Sequence, residues 1–388
     1  MVSRKRTMLA NVLTSVAALC IASAAVDAAA YFLVGLRSAR HGMDGFFQFS
    51  PVVGHFHSPH MRGRYYPQAG RTGHDVTINS YGFADDERDR EKTRPRIALV
   101  GDSTTECWEV DPEERPQRVL EELVDGRFEV LNLGVRGFGT DQTYILLEQV
   151  GMGFDPDIIV YTFCVNDLRD NANERAKPYF RTDAGDTNRL VLSGYPIQSK
   201  PAEGSAAQEG LWRYSLVYRT FRRAVSRLTS IAGGGPEPGS AELPIEQNAE
   251  LRPYKAIYDE EDRRRWRVTR LLVSAMQEEA SARGARFLVV EGLYRPVLDP
   301  GARHEVTAGS TDEFDFDKVT RLLEAFTRER GIPFVSLAAE TRAGGMQAAD
   351  VMPPSDTIHL NAAGVRLWCS AVLSKMESLG WLEEDAGP

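Results

Sequence analysis

In IALVGDSTTECWEV, residues 97–110, four apolar residues (Ile97, Ala98, Leu99 and Val100) run into Gly101, and Ser103 follows two positions later. A short unbroken apolar run closed by glycine reads as a strand buried on both faces, and the serine stands where a helix begins. Two readings compete for it. Serine is a favoured helix N-cap, because its hydroxyl can accept a hydrogen bond from an unpaired amide of the first turn. It is also a candidate nucleophile, and a Gly-Asp-Ser triplet alone is too short to choose between the two.

The same pattern repeats along the chain. From Arg96 the sequence predicts strand 96–100, helix 115–124, strand 128–133, helix 141–150 and strand 157–163; after an interruption come helix 261–283, strand 286–292, helix 315–330, strand 333–337 and a last helix 362–379. Runs such as DIIVYTF and RFLVVEG fit strands covered on both faces, so the expectation is an α/β fold with five parallel strands in a three-layer α/β/α sandwich. Residues 172–260 break the rhythm and read as an insertion, with AGGGPEPGSAELP at 232–244 too rich in Gly and Pro for a core element. Within it, LWRYSLVYRTFRRAVSRL carries apolar residues at helical spacing opposite several arginines, and its default reading is a helix packed on the main domain.

Charge and composition narrow the function classes. The 388 residues hold 46 Lys+Arg against 55 Asp+Glu, a net charge of −9, which argues against a nucleic-acid partner. Four cysteines (Cys20, Cys107, Cys164 and Cys369) are too few for a disulfide framework and lack the spacing of a zinc site. Cys107 and Cys164 both lie near strand ends, yet unpaired thiols are the favoured reading. Residues 1–40 differ from the rest: Arg4, Lys5 and Arg6 precede an apolar stretch over 8–36 interrupted only by Asp27, as in a signal peptide cut after Ala22-Ser23-Ala24 or an uncleaved anchor. The apolar tail Tyr31–Leu36 favours the anchor, with the bulk of the chain outside the cytoplasm. Residues 41–95 suggest a small irregular or β-rich extension, in which His55, His57 and His60 read as exposed imidazoles and not as metal ligands.

Ligands of parallel α/β sheets bind beyond the carboxyl ends of the strands, so the polar residues there form the candidate site. They are Ser103 with Asp102 after the first strand, Asn132, Gly134 and Gly137 after the second, Asn166 and Asp167 after the third, and Asp356 and His359 beyond the fifth. A serine hydroxyl needs a base, and His359 can serve if a carboxylate orients its other ring nitrogen. Asp356, three residues earlier, is placed to do so; of the seven histidines only His304 and His359 follow Ser103. Asn361 would cap the last helix and give this loop a rigid end. Acyl transfer also requires donors aimed at an oxyanion, for which the Ser103 amide, the Gly137 amide and the Asn166 side chain are candidates. Asp102 and Asp167 read as turn-fixing carboxylates that bond backbone amides.

With these residues in view, the chain resembles the SGNH hydrolases, a branch of the GDSL esterase/lipase superfamily. Four short blocks match in order between residue 97 and about residue 364. The resemblance implies a flavodoxin-like sheet of order 2-1-3-4-5 over residues 96–388, with Ser103 as nucleophile, Gly137 and Asn166 as oxyanion donors, His359 as base and Asp356 as its partner. Where the family usually has Gly-x-Asn-Asp, Cys164 replaces the glycine, and the insertion is not covered. NSYGF at 79–83 is similar to extracytoplasmic, anchored members. The expected function is a serine esterase or deacylase acting on O-acyl groups of a small molecule or an envelope or extracellular carbohydrate. A carbohydrate O-acyltransferase using the same site and an inactive membrane-tethered binding module are the alternatives. No metal or organic cofactor is implied, since side chains alone activate the nucleophile.

Overall fold

The computed structural model describes residues 45–67, 73–174, 177–197, 250–354 and 356–383, all within one compact unit. The expected leader, the anchor over 8–36, Cys20 and the stretches at 211–228 and 232–244 lie outside the described residues. Among the described residues no helix is long and apolar enough to cross a membrane.

Four short strands come first, pairing as two antiparallel hairpins: β1 (Phe47–Ser50) with β2 (Gly54–His57), and β3 (Arg62–Tyr65) with β4 (His74–Thr77). The central sheet follows, built from β5 (Arg96–Val100), β6 (Glu129–Asn132), β7 (Ile158–Phe163), β10 (Arg286–Glu291) and β11 (Phe334–Ser336). Between them β8 (Tyr179–Thr182) and β9 (Leu190–Ser193) form a third hairpin. The sheet order is β6-β5-β7-β10-β11 with every pair parallel, which is the expected 2-1-3-4-5 arrangement. Ile97, Leu99, Val130, Ile159, Val160, Leu288 and Val289 are 0–1% exposed, because parallel strands need cover on both faces.

The helices supply that cover. Thr140–Gln149, Glu260–Ala282 and Lys318–Arg330 lie on one face; Pro116–Leu123, Leu337–Ala343 and Ala362–Ser378 lie on the other. Glu260–Ala282 begins at a reciprocal cap in which Asp259 accepts the Asp262 amide and Asp262 accepts the Asp259 amide. Its buried residues Trp266, Thr269, Val273, Met276 and Ala280 recur at three- and four-residue steps, the apolar stripe a covering helix requires. Burying each large apolar side chain on this stripe contributes about 1.5–3 kcal/mol.

The main domain resumes earlier than expected, since Leu251 and Tyr254 are already in the core. The N-terminal layer is also less separate than its composition suggests. Phe46, Val76, Ile78 and Ala84 form a second apolar cluster with Trp108, two residues beyond the serine's helix. His57 is fully buried and His55 half-buried, which corrects the expectation of exposed imidazoles for these two, while His60 is exposed as expected. The alternating polar pattern of residues 54–60 hid a layer that packs against Trp108 after β5. At the opposite edge the buried Arg96 donates to the carbonyls of Asp89, Arg90, Glu91 and Phe154 and pairs with Glu129, bolting the same segment down.

Candidate active site

All five strands point their carboxyl ends the same way, so the loops after β5, β6 and β7 converge at one edge. Gly101 closes β5, and the helix Ser103–Glu106 begins at once, capped by Asp102 and not by the serine. Asp102 Oδ1 accepts the amide of Thr104 at 2.8 Å and its hydroxyl at 2.7 Å. Ser103, 6% exposed, keeps its hydroxyl out of the cap; its Oγ lies 2.9 Å from His359 Nε2, across 256 residues of chain.

His359 stands in a loop that Asp356 shapes. Asp356 Oδ1 accepts the amides of Ile358 at 3.0 Å and His359 at 2.9 Å, and both carboxylate oxygens lie 3.0–3.1 Å from His359 Nδ1. A carboxylate can only accept here, so Nδ1 carries the proton and Nε2 is left to take one from Ser103. The buried Arg295 braces the loop from outside, donating to the carbonyls of Asp356 and Pro353 at 2.6 Å each. Asn361 closes it, accepting the Gly364 amide at 2.9 Å as the N-cap of Ala362–Ser378.

The loop after β6 lies against the serine's turn. Asn132 Nδ2 donates to the Thr105 carbonyl and to Gln117, each at 2.8 Å, while its Oδ1 accepts the Gly134 amide at 3.0 Å. A Cβ on Gly134 would stand 2.6 Å from the Glu106 amide nitrogen, so only glycine permits this approach. Gly137 has φ +79°, the left-handed region, and places its backbone beside His55. Among the described residues the amides of Ser103 and Gly137 donate to no protein group, so both are available to an anion. Asn166 is more committed. Its Nδ2 donates to Asp102 Oδ2 at 3.0 Å and to Asp170 Oδ2 at 3.2 Å, which uses both of its hydrogens. Asp167 accepts from the Tyr161 hydroxyl at 2.7 Å and the Cys164 amide at 3.2 Å, fixing the turn after β7. Cys107 and Cys164 are buried free thiols.

The GDSL-like lipase/acylhydrolase family model matches residues 99–367. The chain belongs to the GDSL-like lipase/acylhydrolase family. It is accordingly an acylhydrolase, an enzyme of ester bonds. No curated protein matches the chain. Solved structures similar to it include a catalytic mutant of an acetylxylan esterase from Geobacillus stearothermophilus (13% identity, 74% of this chain and 96% of that one, TM-score 0.39). TesA is similar at 13% identity (73% and 99%, TM-score 0.38), and the α/β hydrolase LAE5 from the Lake Arreo metagenome at 12% (76% and 99%, TM-score 0.40).

The electrostatics of the acylhydrolase extend beyond the residues legible in its sequence. Burial opposes the charge on Asp356, yet the His359 hydrogen bond, its charge and two backbone amides hold the carboxyl well below the usual range. For His359 burial again disfavours the charged form, but Glu109 and then Asp356 outweigh it and raise the pKa above 6.5. Glu109 was not among the expected residues. It is almost wholly buried, its Oε1 lies 3.7 Å from His359 Nε2, and Arg136 donates to it at 2.9 Å. Arg136 in turn stands 3.3 Å from Glu106 and over the rings of Tyr65 and Trp108. Burial, with Glu109 assisting, pushes the Tyr65 phenol up to about 12 against the pull of Arg136. His55 donates Nε2–H to the Arg136 carbonyl at 3.0 Å, and burial lowers its pKa. The only local hint of this group was a glutamate inside the otherwise apolar CWEV and an arginine directly before Gly137.

Proposed function

We propose that the protein is a serine esterase that removes O-acyl groups through an acyl-enzyme, with Ser103 as nucleophile, His359 as base and then acid, and Asp356 as the carboxylate that orients the ring. One observation carries the reading: Ser103 Oγ is 2.9 Å from His359 Nε2 while His359 Nδ1 is 3.0 Å from Asp356 Oδ2. As Oγ attacks the ester carbonyl, Nε2 takes its proton, and the imidazolium later gives it to the departing alkoxide. Water then enters by the same route in reverse roles and releases the acid. The oxyanion of each tetrahedral intermediate faces the amides of Ser103 and Gly137. Asn166 joins them by exchanging the longer of its two bonds, that to Asp170 at 3.2 Å, for the substrate oxygen.

For the acylated substrate we favour an envelope or extracellular carbohydrate, with residues 8–36 holding the enzyme on the outer side of a membrane. The basic start and long apolar run of the leader support this placement. Purified protein is expected to hydrolyse a short-chain nitrophenyl ester and to be labelled by a fluorophosphonate; Ser103→Ala abolishes both, and retained turnover in that variant removes the reading. With an acyl donor and a glycan together, free acid is the expected product. Predominantly acylated sugar would reassign the same site to O-acyl transfer.

A further inference from the structure

A buried chain of ionisable side chains runs from the N-terminal layer to the serine side of His359. His57 donates Nδ1–H to the Gly82 carbonyl at 2.8 Å, and its Nε2 lies 2.7 Å from Glu106 Oε1. Glu106 Oε2 is 3.3 Å from Arg136 Nε, the same guanidinium donates to Glu109 Oε1 at 2.9 Å, and that oxygen is 3.7 Å from His359 Nε2. Glu109 therefore approaches the nitrogen that exchanges the proton, whereas Asp356 approaches the other one. Arg136 cannot swing away, being held between two carboxylates and over two aromatic rings.

We propose that Glu109 is a positioning residue of the esterase site: fixed by Arg136, its carboxylate stabilises the imidazolium that His359 becomes when Ser103 surrenders its proton. The imidazole then works between two carboxylates, one at each nitrogen. This rests on the serine-esterase reading above. The charge is well placed for the role, since a carboxylate 3.7 Å from the ring nitrogen in a largely buried site attracts a cation there with little screening by water. The groups facing the ring are Asp356 from its own loop, Glu109 from the loop after β5, Arg136 from the loop after β6 and the Ser103 hydroxyl. Tyr65 from β3 stands beside Arg136 and Glu109. Burial opposes a charged ring most strongly; the charge of Glu109 and the hydrogen bond and charge of Asp356 favour it, while Arg136 opposes. The side chain is held near Nε2 without blocking the 2.9 Å contact to the serine.

The test uses Glu109→Gln in the full chain, with two readouts. The acid limb of kcat/KM for a nitrophenyl ester is expected to move to lower pH, because a ring that has lost a negative neighbour and kept Arg136 gives up its proton more readily. The plateau is expected to fall roughly tenfold, the loss of about 1.4 kcal/mol of transition-state stabilisation. Titration of the 15N-labelled His359 ring by NMR is expected to shift the same way, and this needs no turnover. Glu109→Met, neutral and of similar length, gives the same shifts if the glutamine variant does not fold beside Arg136, whereas Glu109→Asp, which keeps the charge, holds the limb nearer to the wild type. A folded neutral variant with an unmoved limb and an unmoved ring titration overturns the role of Glu109. Retained activity in Ser103→Ala would instead overturn the reading of the site, so the two failures are distinct.

Discussion

Asp102 caps the helix that Ser103 begins, and the division of labour between these neighbours frees the serine hydroxyl for His359. The same carboxylate holds Thr104 through one oxygen and Asn166 through the other, so it ties the turn after β5 to the turn after β7.

Asp102→Ala should therefore damage both stability and catalysis. Loss of the cap costs about 1–2 kcal/mol, seen as a lower urea midpoint. Release of Asn166 should lower kcat by about tenfold or more with little change in KM, since an oxyanion donor acts in the transition state. An unchanged kcat in a folded variant would show that Asn166 keeps its place without Asp102, held by Asp170 alone.

Much of this arrangement was visible in the amino-acid order, for a physical reason. Continuous apolar runs and three- to four-residue repeats are local patterns, so the five central strands and the long covering helices could be placed within a few residues. Asp356 and His359 were legible because three residues of separation put both in one turn. Four-residue helices such as Ser103–Glu106 and Ala348–Val351 have no period to detect. The links from His55 to Arg136 and from His57 to Glu106 join residues far apart in the chain, and neither partner's neighbours announce the other. Of the two readings that competed for Ser103, the helix cap goes to Asp102, whose carboxylate one position earlier accepts the Thr104 amide and leaves the serine hydroxyl free.

The pH dependence of activity and of stability should have different signs. His359 must be neutral to accept a proton, and its pKa is raised, so the acid limb of kcat/KM should lie above pH 6.5. In stability, His359 contributes fully below its unfolded value of 6.5 and this is lost as pH rises through the folded pKa. Asp356, lowered from 3.8, contributes above that value and its share is lost as pH falls toward the folded pKa. Urea midpoints measured across this range for wild type and Asp356→Asn should converge in acid, where protonation has already removed what the substitution removes; parallel curves would refute the coupling.

Arg295 offers a way to loosen the histidine's loop without touching the reacting groups. Its guanidinium holds two carbonyls of residues 353–356, and its amide donates to the Thr357 carbonyl at 2.7 Å, a bond that any non-proline side chain preserves. Arg295→Ala should cost about 1–3 kcal/mol of stability and lower kcat by about tenfold, because His359 then samples orientations away from Ser103. Labelling by a fluorophosphonate should slow in proportion to kcat; full-rate labelling would show that the loop holds its shape alone.

The N-terminal layer should prove indispensable to the hydrolase domain, and the pair His57–Glu106 is the place to ask. Both side chains are 0% exposed and lie 2.7 Å apart, one on the extension and the other at the end of the serine's helix. The imidazole already donates to the Gly82 carbonyl through Nδ1, so Glu106 is its remaining partner at Nε2. His57→Ala removes that partner and leaves the carboxyl facing a cavity, with only Arg136 at 3.3 Å to answer it. Breaking a buried pair from one side costs about 3–5 kcal/mol, a large fraction of the stability of an ordinary domain. His57→Ala/Glu106→Leu, which removes both polar groups, should recover part of the loss, because an apolar pair leaves no carboxyl in want of a partner. Calorimetry of the two variants decides the point: a double variant no more stable than the single would mean that shape, not charge pairing, joins the extension to the catalytic edge.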